Sequence, residues 1–150
     1  MKRLWNPKHS VTLSLVVTYL AGAALLAMML FFVPNLLGTC HRAGATGWYI
    51  ELLYLFYICC PAGWAAIVSL LMLLHNIRKG DVFTRRNVKL LRILSWCFTF
   101  TALVSVYATL IDYLCVIILA GSGILAVILR VVKNVMEQAT IMREEQELTI

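Results

Sequence analysis

The chain has 150 residues, 62% of them hydrophobic and 13% charged, with a mean hydropathy of +0.88 and a net charge of +6. A soluble domain carries about 25% charged residues and leaves much of its surface in water, so these values exclude an ordinary soluble globule and point to lipid as the solvent. Backbone groups in lipid must be paired internally, and the apolar runs are continuous and not alternating, which predicts helices and excludes a barrel.

The basic balance does not imply nucleic acid. Basic residues beside apolar spans set topology and touch anionic headgroups, so the bilayer is the expected partner and direct nucleic-acid binding is not expected.

Met1 to Ser10 is a short basic start, with Lys2, Arg3 and Lys8, and Trp5 suits a headgroup-level anchor. The first span covers about residues 11–33 and carries no charge. A span needs about 20 residues, whereas the apolar core of a signal peptide is only about 7–15 long. Ala43-Gly44-Ala45 resembles a cleavage site, and Leu37-Gly38-Thr39-Cys40 is a near miss to a lipoprotein site. The length of the run nevertheless predicts a retained anchor. Pro34 to Gly47 contains Pro34, Asn35, Gly38, Gly44 and Gly47 and is expected to be a loop.

Trp48 and Tyr49 restart the chain at an interface, and the second span covers about 49–74. Glu51 lies one turn inside its outer end. Pro61 lies mid-span and lacks the N–H that would bond the Tyr57 carbonyl, so a kink is expected there.

Residues 75–89 form a charged hinge. Between His75 and Arg92 lie Arg78, Lys79, Arg85, Arg86, Lys89 and Arg92, with long apolar runs on both sides. Gly80 suits a helix C-cap, where positive φ is needed. Thr84 suits the N-cap of the next helix. Phe83 and Val88 have the spacing of a hydrophobic staple, while Asn87 stands where a capping box would place Glu or Gln.

The third span covers about 90–111, Asp112-Tyr113 makes a tight outer turn, and the fourth span covers about 114–132. Val132, Val135, Met136, Ala139 and Met142 then recur at helical spacing, with no Gly or Pro after Gly123. One helix is therefore expected from Leu114 to Glu145, about 48 Å at 1.5 Å per residue. It would project from the membrane into a tail over 133–150 with an acidic end, Glu144-Glu145-Gln146-Glu147.

The fold class expected is all-α: a membrane-embedded bundle of four transmembrane helices in a single domain. Every Lys and Arg except Arg42 lies in or beside the amino terminus, the hinge or the tail. The positive-inside rule then puts both termini, the hinge and the projecting end of the fourth helix in the cytoplasm.

Four constellations carry functional content. Small residues lie near the middle of three spans: Ala21-Gly22-Ala23-Ala24, Cys59-Cys60-Pro61-Ala62-Gly63 and Ala120-Gly121-Ser122-Gly123. Close helix packing and a midplane cavity of the transporter kind both fit that layer. At the outer end Arg42, Glu51 and Asp112, with His41 near, form a candidate mouth. Intramembrane carboxylates are functional hypotheses by default, though interfacial ones cost little.

The cysteines, Cys40, Cys59, Cys60, Cys97 and Cys115, match no zinc spacing and contain no C-x-x-C. A quinone-linked thiol oxidoreductase would need outward-facing pairs, whereas Cys59 and Cys60 are adjacent and in lipid. Cys40 and Cys115 both face outward, and a bridge between them is left open. On the cytoplasmic face the basic hinge stands opposite the acidic tail, with Arg85, Arg86 and Lys89 as candidate docking groups; headgroup binding by the hinge is the alternative.

Gly80-Asp81-Val82-Phe83-Thr84, then Asn87-Val88 and Leu91-Arg92, resemble the cytoplasmic loop of the YoaS-like family of bacterial membrane proteins, a family without assigned activity. The ending Glu144-Glu145-Gln146-Glu147-Leu148-Thr149-Ile150 resembles that family's acidic C-terminus. Val82 stands where the family often has Pro, and Ala139 where it often has Gly. The resemblance implies a small inner-membrane protein, and, because such proteins are often encoded beside a small helix-turn-helix regulator, a transcription regulator as partner.

The expectation is therefore an interaction or regulatory protein. Its partner-binding residues would be Phe83, Thr84, Arg85, Arg86, Asn87, Glu144, Glu145, Gln146, Glu147, Leu148 and Ile150. A small oligomeric transporter or channel is the alternative, and a homo-oligomer is among the expected assemblies. No nucleophile–base pair, metal cluster or phosphate-cradling glycine loop is legible, so neither an enzyme nor a cofactor is expected.

Overall fold

The computed structural model describes residues 7–42, 44, 47–80 and 82–148; Ile150 and the basic start with Trp5 lie outside it, as do the side chains of Cys40, His41, Trp48 and Glu147. All regular structure among the described residues is helical. In chain order it comprises α1 (Pro7–Ala27), a π-helical turn (Met28–Phe32), α2 (Val33–Arg42), α3 (Gly47–Lys79), α4 (Arg85–Ile111), a 3-10 turn (Tyr113–Cys115) and α5 (Val116–Leu148). Four stretches are long and apolar enough to cross a membrane: Val11–Thr39, Tyr49–Lys79, Arg85–Ile111 and Tyr113–Gln146. Their outward surfaces are apolar, with Leu103 66%, Ile117 73% and Leu110 80% exposed. A surface of that kind suits lipid and not water.

The expected loop after Pro34 is instead helix, reaching Arg42. The π-helical turn explains how. The Val33 N–H reaches back five residues to the Met28 carbonyl, which widens the helix just before Pro34. A widened turn relieves the clash between a proline ring and the preceding turn, at the cost of unpaired carbonyls. Two side chains supply donors there. The Tyr57 hydroxyl of α3 donates to the Met29 carbonyl at 3.1 Å, and Asn35 Nδ2 donates to the Phe31 carbonyl at 2.8 Å. Pro61 lies inside α3, which is one continuous helix.

The helices pack in an open row and not in a closed bundle. α1 lies on α3, α3 on α4 and α4 on α5, while neither α1 nor α3 makes a substantial packing contact with α5. Small residues bring α1 close to α3. A Cβ on Gly63 would sit 3.3 Å from Leu25 Cδ2, and one on Gly22 3.5 Å from Ile67 Cγ2. Gly121 and Gly123 have nothing within 4 Å of a built Cβ. The small-residue layer thus packs α1 on α3, while on α5 Ser122 is buried and the two glycines beside it leave open space.

Polar side chains inside the spans are satisfied locally. Thr18, Ser105, Ser122 and Thr140 each donate to the carbonyl four residues back, and Ser95 donates across to the Ala126 carbonyl of α5 at 3.1 Å. Lipid offers no other partner. The apolar core of Leu73, Leu90 and Leu91, flanked by Leu70, Ile77, Leu129 and Met136, lies directly under the hinge.

Candidate interaction face at the hinge

The non-helical hinge is short. α3 runs on to Lys79, beyond the expected start of the hinge at residue 75, and α4 begins at Arg85. Gly80 ends α3 at φ +91°, a backbone conformation that side chains with a Cβ rarely adopt. Its N–H bonds the Ile77 carbonyl at 3.1 Å, and its own carbonyl accepts from the Val82 N–H at 3.0 Å. Thr84 is extended, and its hydroxyl oxygen accepts from the Asn87 N–H, the N-cap bond that its position predicts.

Asn87 does not complete a capping box. Its side chain turns inward and is fully buried. Nδ2 donates to the Val82 carbonyl at 2.8 Å, and Oδ1 accepts from Asn76 Nδ2 of α3 at 2.7 Å. One amide thus ties the end of α3, the turn and the start of α4 together. Asn87, expected among the partner contacts, is thus a buried side chain that holds the hinge in shape. Asn76, its counterpart, was not singled out from the sequence; an Asn at the inner end of an apolar span is the signal that could have found it.

The hinge and the distant tail are joined by a forked ion pair. Arg85 Nε and Nη2 donate to Glu144 Oε1 and Oε2 at 2.9 and 2.6 Å, across 59 residues of sequence. Two parallel bonds fix geometry as well as attraction. Two turns of helix back along α5, Glu137 accepts from Lys133 at 2.7 Å and faces Arg92 at 3.7 Å.

Hydrocarbon about 30 Å thick holds about 20 helical residues. α5 has 33 residues, so a span of that length begun at Val116 ends before Glu137 and Glu144 and leaves both carboxylates outside it. There the bond from Arg85 holds the Glu144 carboxyl below the usual carboxylate range, and raises the Arg85 guanidinium in turn. The bond from Lys133 lowers Glu137, helped by the nearby charges of Lys133, Arg92 and Arg85.

Around this clamp, Phe83, Arg86, Glu145, Gln146 and Leu148 are exposed, and Thr84 is half-buried. Leu148 is 87% exposed at the end of the projecting helix. The structure therefore brings Arg85 of the hinge against Glu144 of the tail, with Asn87 buried at the start of the same helix as Arg85.

At the far end, Glu51 and Asp112 line one open groove with Leu110, Ile111, Tyr113 and Leu114. Asp112 Oδ1 also accepts from the Leu114 N–H at 2.9 Å and so caps the turn into α5. Arg42 is exposed at the end of α2 and does not line this groove. Deeper, Leu25, Phe56, Cys59, Cys60, Thr101 and Ser105 border an apolar cavity of about 320 Å³. Cys59, Cys60, Cys97 and Cys115 are free thiols. No group of His, Cys, Asp and Glu among the described residues is arranged to hold a metal ion.

Residues 7–150 match the family model described as a protein of unknown function (DUF2975). No curated protein and no solved structure matches the chain.

Proposed function

The chain belongs to the DUF2975 family of proteins of unknown function, and from that premise we propose that it is a membrane-anchored interaction protein acting through the hinge and the end of α5. The single observation that carries this reading is the forked Arg85–Glu144 pair, which joins two segments far apart in sequence. The exposed apolar groups Phe83 and Leu148 beside it are what a protein partner would cover.

The likeness of the hinge and tail to YoaS-like proteins supports a bacterial inner-membrane setting and a small helix-turn-helix regulator as partner. The distribution of Lys and Arg supports both termini and this face lying in the cytoplasm. The protein on this reading is not an enzyme and needs no cofactor.

Capture of partners from solubilised membranes tests the reading. Arg85→Glu and Glu144→Arg should each lose the partner, and the exchanged pair should regain it. Loss of residues 144–150 should abolish capture. Identical partners from all four chains would sink it.

A second reading, a small transporter or channel, rests on the apolar cavity and the Glu51–Asp112 groove. No charged side chain lines the cavity, so the solute would be neutral and apolar. Unchanged flux in Glu51→Gln and Asp112→Asn would remove those carboxylates as its gate.

Self-association fits either reading. On the side of α5 turned away from α4, Ile124, Ile128, Val131 and Val135 are exposed at spacings of four, three and four, with Met142 exposed seven residues further on. That spacing is the seam of a two-helix coil, and a second copy of this chain is the occupant we assign to it.

A further inference from the structure

Where α4 and α5 leave the hydrocarbon near the hinge, they part around a cleft of about 210 Å³ lined by Arg92, Ser95, Trp96, Arg130, Lys133 and Asn134. Three of these six side chains are cations. Glu137 offsets only part of that charge, since it bonds Lys133 at 2.7 Å but stands 3.7 Å from Arg92. The Arg130 guanidinium lies 5.9 Å from the centre of the Trp96 ring, a cation–π arrangement. Lys133 is nearly covered, its side chain 16% exposed, while Arg92 is open at 56%. The cleft therefore has a covered cation at its floor, paired with Glu137, and an exposed cation at its rim.

Its depth names the ligand. About 20 residues fill the hydrocarbon. Counted from Ile111 and from Leu114, that length ends near Arg92 on α4 and near Lys133 on α5, so the cations lie at headgroup level and Trp96 just inside, where interfacial tryptophans sit. Below the cleft the same faces continue as exposed apolar surface, through Phe100 and Leu103 on α4 and Val127 on α5. A free ion would use only the cations. A lipid would use the cations, the indole and the strip together.

We propose that this cleft binds the phosphodiester headgroup of an anionic phospholipid, with its acyl chains along that strip. Arg92 and Arg130 hold the phosphate oxygens, Lys133 supplies the charge beneath, and Asn134 donates from the side. The site is independent of the protein partner proposed above, whose contacts lie at Arg85, Glu144 and beyond.

Native mass spectrometry of the detergent-solubilised full chain, with phosphatidylglycerol or phosphatidylcholine added at equal concentration, tests the site. Phosphatidylglycerol should be retained about fivefold better, the effect of roughly one basic group at a membrane surface. Arg92→Gln and Arg130→Gln should each remove most of that preference. Arg78→Gln, exposed on α3 outside the cleft, should keep it. Equal retention of the two lipids by the wild-type chain overturns the proposal without any variant. So does the same preference in all three variants. Displacement of phosphatidylglycerol by excess inorganic phosphate would assign the site to the free anion and overturn the lipid. Should a variant lose its helical circular dichroism, quenching of Trp96 by brominated phosphatidylglycerol, in a chain with Trp5, Trp48 and Trp64 replaced by Phe, decides. Quenching stronger than with brominated phosphatidylcholine supports the site, and equal quenching overturns it.

Discussion

Asn87 is a polar side chain with no exposure in a chain built for lipid, and its bonds to Asn76 and the Val82 carbonyl explain why it is tolerated there. Replacing it with Leu keeps much of the volume but leaves Asn76 and the Val82 carbonyl without their bonds. An uncompensated buried polar group costs about 1–3 kcal/mol, so Asn87→Leu should lower the unfolding free energy in detergent by about that amount, read by circular dichroism against denaturant. An unchanged midpoint would mean that the hinge keeps its shape by helix packing alone.

Glu144 acts differently, because its worth depends on charge. Its carboxyl is held below the ordinary value by Arg85. The contribution of the clamp is therefore complete above the ordinary glutamate range and is lost as pH falls through the lowered value. A spin-label distance between Arg86→Cys and Gln146→Cys should stay constant through the ordinary glutamate range and broaden only as pH falls below it. Glu144→Gln should be broad throughout. A narrow distance in that variant would show that the clamp does not hold the tail.

Among the elements, the first span is the one whose form depends on a neighbour. α1 and α2 join through a π-helical turn that leaves carbonyls for other donors, and Tyr57 of α3 supplies one of them. Interhelical bonds of this kind in membranes average about 0.6 kcal/mol and reach about 1.7. Tyr57→Phe should lose that much stability, with amide exchange rising first in the π-helical turn. A rise spread evenly over the chain would argue against a local role. Gly63 sets how closely α1 approaches. Ala should be accepted by a small shift of the flexible Leu25 end, whereas Gly63→Leu should separate α1 from α3, seen as loss of a cross-link between the two helices.

The whole molecule is an open row whose last helix has two opposite faces. Ser122, Ala126, Leu129, Met136 and Thr140 turn toward α4, and the opposite stripe is bare. A Cys at Val135 should therefore form an oxidative cross-link between two chains in membranes, giving a dimer band well above that of the wild-type chain with its native thiols. Val135→Cys without such a band would leave the stripe to lipid.

The sequence alone determined the solvent, the helical class and the succession of four apolar stretches, because continuous hydrophobic runs in lipid have hardly another way to pair their backbone. It also determined the Gly80 stop and the Thr84 start, since a positive φ and an N-cap oxygen are local demands met by local residues. Pro34 misled for the same reason. Read locally it breaks a helix, and only Tyr57, distant in sequence, and the widened turn let the helix continue. Tertiary structure alone decided that Asn87 is a buried clasp, that Arg85 meets Glu144, and that the row stays open along α5. Each of these depends on which helices become neighbours, and a hydrophobic pattern nearly uniform around each helix does not encode its neighbour.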